Sequence, residues 1–280
     1  MGKSTLINAV IGQKIAIVSP KPQTTRRLQR GIHTTAHEQF VFCDTPGIHR
    51  PRHALGKSML ADAIQALRDA DVVLWVTDIS YMPTGGDRNV VSRLRMDAGE
   101  KPLVLGMNKS DRLRAGDVLP HTEAFRALAP QAAWMLVSAT RGDNISELLE
   151  QLADELPEGP RYYPEDQVTD TRMRELAGEL LREATLYYLQ KEIPHGVGVE
   201  VEAFDESDGA VARISATIEV ERERHKGIVI GKRGEMLKRI GTRARREIAN
   251  MLGVKVHLST HVKVCKDWRY DRQHVARMGY

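Results

Sequence analysis

Cysteine is nearly absent from this 280-residue chain: Cys43 and Cys265 stand far apart, each in an apolar strand-like stretch. Such usage excludes a disulfide framework and suits a reducing compartment. Long apolar runs are absent as well. None approaches the roughly 18 residues a membrane-spanning helix needs, and the opening residues lack the basic-then-apolar pattern of a secretion signal. The ten histidines have no zinc-ligand spacing, so no such centre is expected. What remains is a globular composition, 41% hydrophobic and 28% charged, with length enough for two cores.

Acidic residues are scarce in one place. The net charge is only +4, yet residues 222–246 carry Arg222, Arg224, Lys226, Lys232, Arg233, Lys238, Arg239, Arg243, Arg245 and Arg246 against Glu223 and Glu235 alone. A run of this kind is either a solvated helix face or a nucleic-acid footprint.

Residues 1–156 alternate apolar runs with amphipathic stretches. Val72–Val76, Leu103–Met107 and Trp134–Val137 read as strands buried on both faces. Helix-compatible stretches fill 56–70, 86–98 and 117–129, and Asn144 reads as the N-cap of a helix bearing Ile145, Leu148, Leu149 and Leu152. Such alternation implies a doubly wound α/β sheet with ligands at the carboxyl ends of its strands. Pro157-Glu158-Gly159-Pro160 and Pro164 read as a linker. Beyond it the order becomes helix, strand, strand, a glycine loop, helix and strand, the pattern of a separate α+β domain.

Gly2-Lys3-Ser4-Thr5, followed at once by Leu6-Ile7-Asn8-Ala9-Val10, is the back half of the phosphate-loop motif G-x-x-x-x-G-K-[ST]. Lys3 would reach the β- and γ-phosphates and the Ser4 hydroxyl would bind Mg²⁺. The N–H groups of the helix start, Gly2 to Thr5, would face the anion along the helix dipole. The first glycine of the motif and the strand before it are lacking, so the expectation is a nucleotide-binding domain with its first element cut away.

Asp44-Thr45-Pro46-Gly47 follows the apolar strand Phe40–Cys43, where Asp44 can hold Mg²⁺ through water and the Gly47 N–H can meet the γ-phosphate. Asn108-Lys109-Ser110-Asp111 follows the strand ending at Met107. The Asp111 carboxylate can accept from guanine N1–H and the exocyclic amine, a donor pair that adenine lacks. Ser138-Ala139-Thr140 can offer a backbone N–H to guanine O6. Alone, the fragments are weak signals, apart from the moderately specific Asn108-Lys109-Ser110-Asp111; four in order, each at a strand end, point to a guanine-nucleotide domain. The rival from another class is a P-loop kinase or ATPase, against which Asp111 argues.

Gly231-Lys232-Arg233-Gly234, between an apolar stretch and a basic helix, has the form of the KH-domain G-x-x-G loop, which clamps about four nucleotides. The glycines let a phosphate backbone approach, Lys232 and Arg233 supply charge, and Ile228 and Ile230 are expected to floor a groove for unstacked bases.

With Pro22-Gln23-Thr24-Thr25-Arg26, these fragments match the motif series of translation-factor-type GTPases. The P-Q-T-T-R form, joined to Val229-Ile230-Gly231-Lys232-Arg233-Gly234 and an ending Met278-Gly279-Tyr280, resembles the Era family of bacterial ribosome-assembly GTPases over essentially the whole chain. The resemblance implies a doubly wound P-loop GTPase domain over 1–157, a linker over 158–170, and a type II KH domain over 171–280. It implies GTP and GDP as ligands with Mg²⁺ held by Ser4, Asp44 and Thr25, Thr24 being the alternative to Thr25, and Lys3 and Thr25 in the catalytic step.

Ile48 stands where many GTPases carry a water-positioning glutamine. An isoleucine cannot hold water by hydrogen bonding, so unaided hydrolysis is expected to be slow. The implied target is the 3′ end of small-subunit ribosomal RNA, and the implied role is maturation of the small ribosomal subunit. The protein would be a cytoplasmic monomer with peripheral contact at the inner membrane. A KH-type RNA-binding protein with an inactive G domain is the alternative. Family members commonly have valine before Gly-Lys-Ser-Thr, and GTG, a valine codon, also serves as a start. Met1 is therefore expected to be an internal valine read as initiator, with a strand and Gly-x-Pro-Asn upstream.

Overall fold

The computed structural model describes residues 1–48 and 51–280. Two compact units divide the chain: 1–13, 28–50 and 60–169 form one, and 14–27, 51–59 and 170–280 form the other.

In the first unit, α1 (Lys3–Ile11) precedes the antiparallel hairpin of β1 (Gln29–Thr34) and β2 (Gln39–Asp44), with Ile32 opposite Val41. α2 (Ala54–Asp69) begins in the second unit and passes into the first at residue 60; strands and helices then alternate as β3 (Val73–Asp78), α3 (Gly85–Asp97), β4 (Leu103–Asn108), α4 (Val118–Leu128), β5 (Ala133–Val137) and α5 (Ile145–Ala153). β3, β4 and β5 form a parallel sheet in that order. Its apolar runs are continuous because both faces are covered: Trp75, Leu105 and Met107 pack with Val91, Leu94 and Phe125, while Val76, Val104 and Val137 pack with Leu6, Leu148 and Leu152. Asn144 stands at the start of α5, but its side chain donates to the Leu136 carbonyl at 2.7 Å instead of accepting from the helix.

β2 and β3 are not bonded to each other. Phe40 and Phe42 of β2, Leu74 and Val76 of β3, and Leu6 and Val10 of α1 line a cavity of about 790 Å³.

Residues 158–169, expected as a linker, are tied into this unit. The Ile32 N–H donates to the Val168 carbonyl at 2.8 Å, and Gln39 Oε1 accepts from the N–H groups of Tyr162 and Tyr163. Arg161 donates to the carbonyls of Thr35 and Ala36. The prolines stop the helix as expected, but the segment after them is bonded to the β1–β2 hairpin through backbone groups of Tyr162, Tyr163 and Val168.

The second unit contains α6 (Met173–Tyr188), β6 (Gly198–Asp205), β7 (Val211–Val220), α7 (Glu223–Ile230), α8 (Glu235–Leu252), β8 (Lys255–Val264) and α9 (Arg272–Arg277). The sheet order is β6-β7-β8, antiparallel then parallel. Ile214, Ala216 and Ile218 bury against Ile240, Ala244 and Ile248 of α8. The helix α7 was not expected: Gly227–Ile230 are its last turn, with Val229 buried and Ile228 exposed.

Residues 14–27 belong to this second unit, which the sequence does not suggest. Arg26 is fully buried and donates to the carbonyls of Val197, His195 and Pro194 at 2.6, 2.9 and 3.3 Å. Burial, with the Arg182 charge, pulls its guanidinium down to about 10. Arg182 has no exposed surface, donates to both Glu179 oxygens, and caps the Thr24 carbonyl. Lys14 spans Glu183 at 2.6 Å and Glu247 at 2.9 Å.

Removing one member of a buried pair leaves the other charge uncompensated. Glu179→Gln is therefore expected to cost about 3 kcal/mol at neutral pH, read by urea unfolding. Burial pushes the Glu179 carboxyl up, but the charge and hydrogen bonds of Arg182 outweigh it and hold it below the ordinary value. A depressed carboxyl contributes stability above its unfolded pKa and loses it as pH falls through the folded one. The gap between wild type and variant should accordingly narrow on acidification below about pH 4. A gap that widens there would contradict the assignment.

Candidate functional site

The nucleotide motifs of the first unit converge on Asn108. This buried side chain donates from Nδ2 to the Met1 carbonyl at 2.8 Å. Its Oδ1 accepts from the N–H groups of Lys109 at 2.8 Å and Ala139 at 3.0 Å. One amide therefore ties the start of the phosphate loop to both base-recognition loops. The fit at Gly2 is close. Its φ is +92°, and a Cβ there would lie 2.6 Å from Asn108 Nδ2, so only glycine suits the position. Gly2 caps α1, and Lys3, Ser4 and Thr5 form its half-buried first turn.

Ser4 Oγ donates to Asp44 Oδ2 at 2.6 Å, and Asp44 is 1% exposed. A hydroxyl and a buried carboxylate at a helix N-terminus are hard oxygen donors suited to Mg²⁺. Thr45 and Pro46 continue from β2, and Gly47 approaches Met1. Ile48 packs on the apolar cluster of β3 and β4, which accounts for an apolar residue at the position where the sequence shows no glutamine.

At the base end, Asp111 Oδ1 accepts from the buried Ser138 Oγ at 2.7 Å. Ser138 Oγ also accepts from the Arg141 N–H. The carboxylate is thus held in one orientation with a second oxygen available for a base. Ala139 N–H is engaged by Asn108, so an O6 contact from this loop must share that amide or use the next one. Lys109 has φ +68° and its ammonium pairs with Asp78. Burial pushes the Asp78 carboxyl up, and the hydrogen bonds and charge of Lys109 and Ser80 more than reverse this, so it sits below the ordinary carboxylate range. Asp78, the last residue of β3, is a positioning group the motifs did not reveal.

Thr24 and Thr25 lie in the second unit. The Thr24 hydroxyl donates to the Lys21 carbonyl at 2.7 Å, while Thr25 is buried.

The second unit presents the glycine loop. Gly231 has φ +74°, and a Cβ there would lie 2.7 Å from Met236 Cβ. Gly234, at φ +80°, caps α8. Lys232 and Arg233 between them are exposed, Arg233 itself at φ +53°. Beside the loop lies a cleft of about 380 Å³ lined by Gly234, Leu237, Lys238, Gly241, Arg245 and Leu258. Leu237 and Leu258 give this cleft its apolar surface, while exposed Ile228 and half-buried Ile230 stand in the last turn of α7, directly before the loop. The cleft row Lys238, Gly241, Thr242, Arg245 follows the i, i+3, i+4, i+7 spacing of one helix face and was legible in principle.

Residues 1–109 match the family described as 50S ribosome-binding GTPase, and residues 192–269 match the KH domain. Two solved structures resemble the whole chain. Era in complex with MgGDPNP and nucleotides 1506–1542 of 16S ribosomal RNA is 37% identical at a TM-score of 0.94, over 100% of this chain and 94% of that one. A variant of Aquifex aeolicus Era bound to GDP.AlF4⁻ is 36% identical at a TM-score of 0.93, over 100% and 95% of the two chains. With phosphate loop, base-recognition loops and glycine loop all in matching order along a full-length likeness, the chain belongs to the Era family of GTPases.

Proposed function

We propose that this protein is a GTP-hydrolysing switch that binds the 3′ end of small-subunit ribosomal RNA and assists maturation of the small ribosomal subunit. The observation that carries the nucleotide half is Asn108, which joins the Gly2 loop to the loops holding Asp111 and Ser138. Gly2, Lys3, Ser4 and Thr5 would hold the phosphates, Asp111 would read the base, and Ser4 and Asp44 would hold Mg²⁺, with Thr25 the further ligand that the family resemblance implies. Bound Mg²⁺ supplies charge neutralisation on the β- and γ-phosphates. Thr25 is taken ahead of Thr24 on the family resemblance. Lys3 and Thr25 act on the γ-phosphate, and Ile48 keeps unaided turnover slow. The glycine loop and its cleft support the RNA half.

The slot between β2 and β3 has the chemistry of a strand position, with apolar walls and two strand edges not bonded to each other. We further read the protein as a cytoplasmic monomer. No helix among the described residues is long and apolar enough to cross a membrane, and the net charge of +4 favours peripheral contact with anionic lipid.

The test is displacement of labelled GTP from the 280-residue chain, together with phosphate release from GTP. Unlabelled GTP should displace the label at least ~100-fold more effectively than ATP, because a base-reading carboxylate is left unpaired against adenine. Equal displacement would remove the guanine assignment. Tight GTP binding without any phosphate release, with RNA present or absent, would favour the inactive-domain alternative.

A further inference from the structure

The helix α8 carries cations on two flanks of its buried Ile240–Ala244–Ile248 stripe. Lys238 and Arg245 border the cleft. With successive residues about 100° apart, Arg239 and Arg243 fall on the other flank, against α6. There the Arg243 guanidinium carbon lies 3.9 Å from the centroid of the Tyr187 ring, and that of Arg239 lies 4.7 Å from the Tyr188 centroid. The two tyrosine rings meet edge to face at 5.0 Å. Tyr187 is 60% exposed.

Tyr187 with the two arginines forms an aromatic and cationic surface open to solvent. Neither guanidinium is paired with a carboxylate among the described residues; the nearby acids Glu183 and Glu247 are both taken by Lys14, at 2.6 and 2.9 Å. Arg243 Nε is buried with no hydrogen-bond partner. A guanidinium stacked on a ring keeps its in-plane N–H donors for an acceptor such as phosphate.

We propose that Tyr187, Arg239 and Arg243 form a second RNA-contact surface, separate from the G-x-x-G cleft, that stacks an unpaired base on Tyr187 and binds adjoining phosphates through the two arginines. The proposal rests on the RNA-binding reading given above. Aromatic faces paired with arginine planes are the means by which proteins hold unstacked bases. A lipid-binding patch would instead present several lysines around protruding apolar side chains, which this flank does not.

Two single-stranded RNA probes test it: one of about four nucleotides, which fills the cleft alone, and one of about 20 nucleotides, able to leave the cleft and reach the flank. For the Tyr187→Ala/Arg243→Ala double variant, affinity for the short probe should equal wild type. Affinity for the long probe should fall about tenfold or more, with the log–log salt slope flattened by about 0.7 for the lost arginine. Tyr187→Phe, which keeps the stacking face, should bind the long probe normally. Long-probe affinity within twofold of wild type would overturn the proposal. Equal losses on both probes would also overturn it, since the residues would then serve the cleft or the fold. So would intact RNA binding with lost binding to phosphatidylglycerol vesicles, which would make the patch a membrane contact. Failure of the wild type to bind either probe would instead sink the RNA reading itself.

Discussion

Asp111→Asn is expected to exchange guanine for xanthine as the preferred base. The wild-type carboxylate, fixed by Ser138 Oγ at 2.7 Å, would accept from two donors on guanine under the proposed function. An amide presents one acceptor and one NH₂ group, so it meets the guanine amine with a donor. Losing two charge-assisted bonds, each worth about 1.5–3 kcal/mol, predicts a loss of GTP affinity of roughly a hundred- to ten-thousandfold. Xanthosine triphosphate carries an oxygen in place of that amine, and the new NH₂ can donate to it, so its affinity should rise as that of GTP falls. The measurement is displacement of a fluorescent nucleotide by each triphosphate. Unchanged GTP affinity would show that Asp111 does not read the base.

The second large effect concerns the exposed pair Lys232 and Arg233, held between Gly231 at φ +74° and Gly234 at φ +80°. Neither side chain is buried, so Lys232→Asp/Arg233→Asp leaves the core intact. Two phosphate contacts vanish and two like charges replace them. Affinity for a single-stranded ribosomal oligonucleotide should drop by about a hundredfold or more, and the log–log salt slope should flatten by about 1.4. GTP hydrolysis without RNA should persist, because the change lies in the other compact unit. Unaltered RNA binding would refute the loop's assignment.

Particular elements show why some of this was readable in advance and some was not. Gly2, Asn108, Asp111 and Ser138 sit at element ends, where the chain must turn and where a phosphate or a base is met by backbone groups. Such positions tolerate few residue types, so short strings announce them. The buried sheet was equally legible, since β3 and β4 must be apolar on both faces. Asp78 escaped notice because an aspartate closing a strand is unremarkable until its partner Lys109, 31 positions away, is in place. The helix α7 was hidden for a related reason: Gly227–Ile230 look like a buried strand, and only its turn decides that Val229 faces inward.

By itself, then, the sequence left β1, α7 and α9 undetermined, but determined the strand–helix alternation through the parallel sheet and the strings that mark the phosphate, base and glycine loops. All are local patterns, set by period, turn chemistry and the needs of a bound anion. Only the tertiary structure decided that residues 14–27 pack with the RNA-binding unit, and that Arg26 buries its charge under the carbonyls of 194–197. It alone placed residues 158–169 on the β1–β2 hairpin and brought Tyr187 under Arg243. These contacts join residues more than fifty positions apart. Each depends on where two elements pack, which no local pattern encodes.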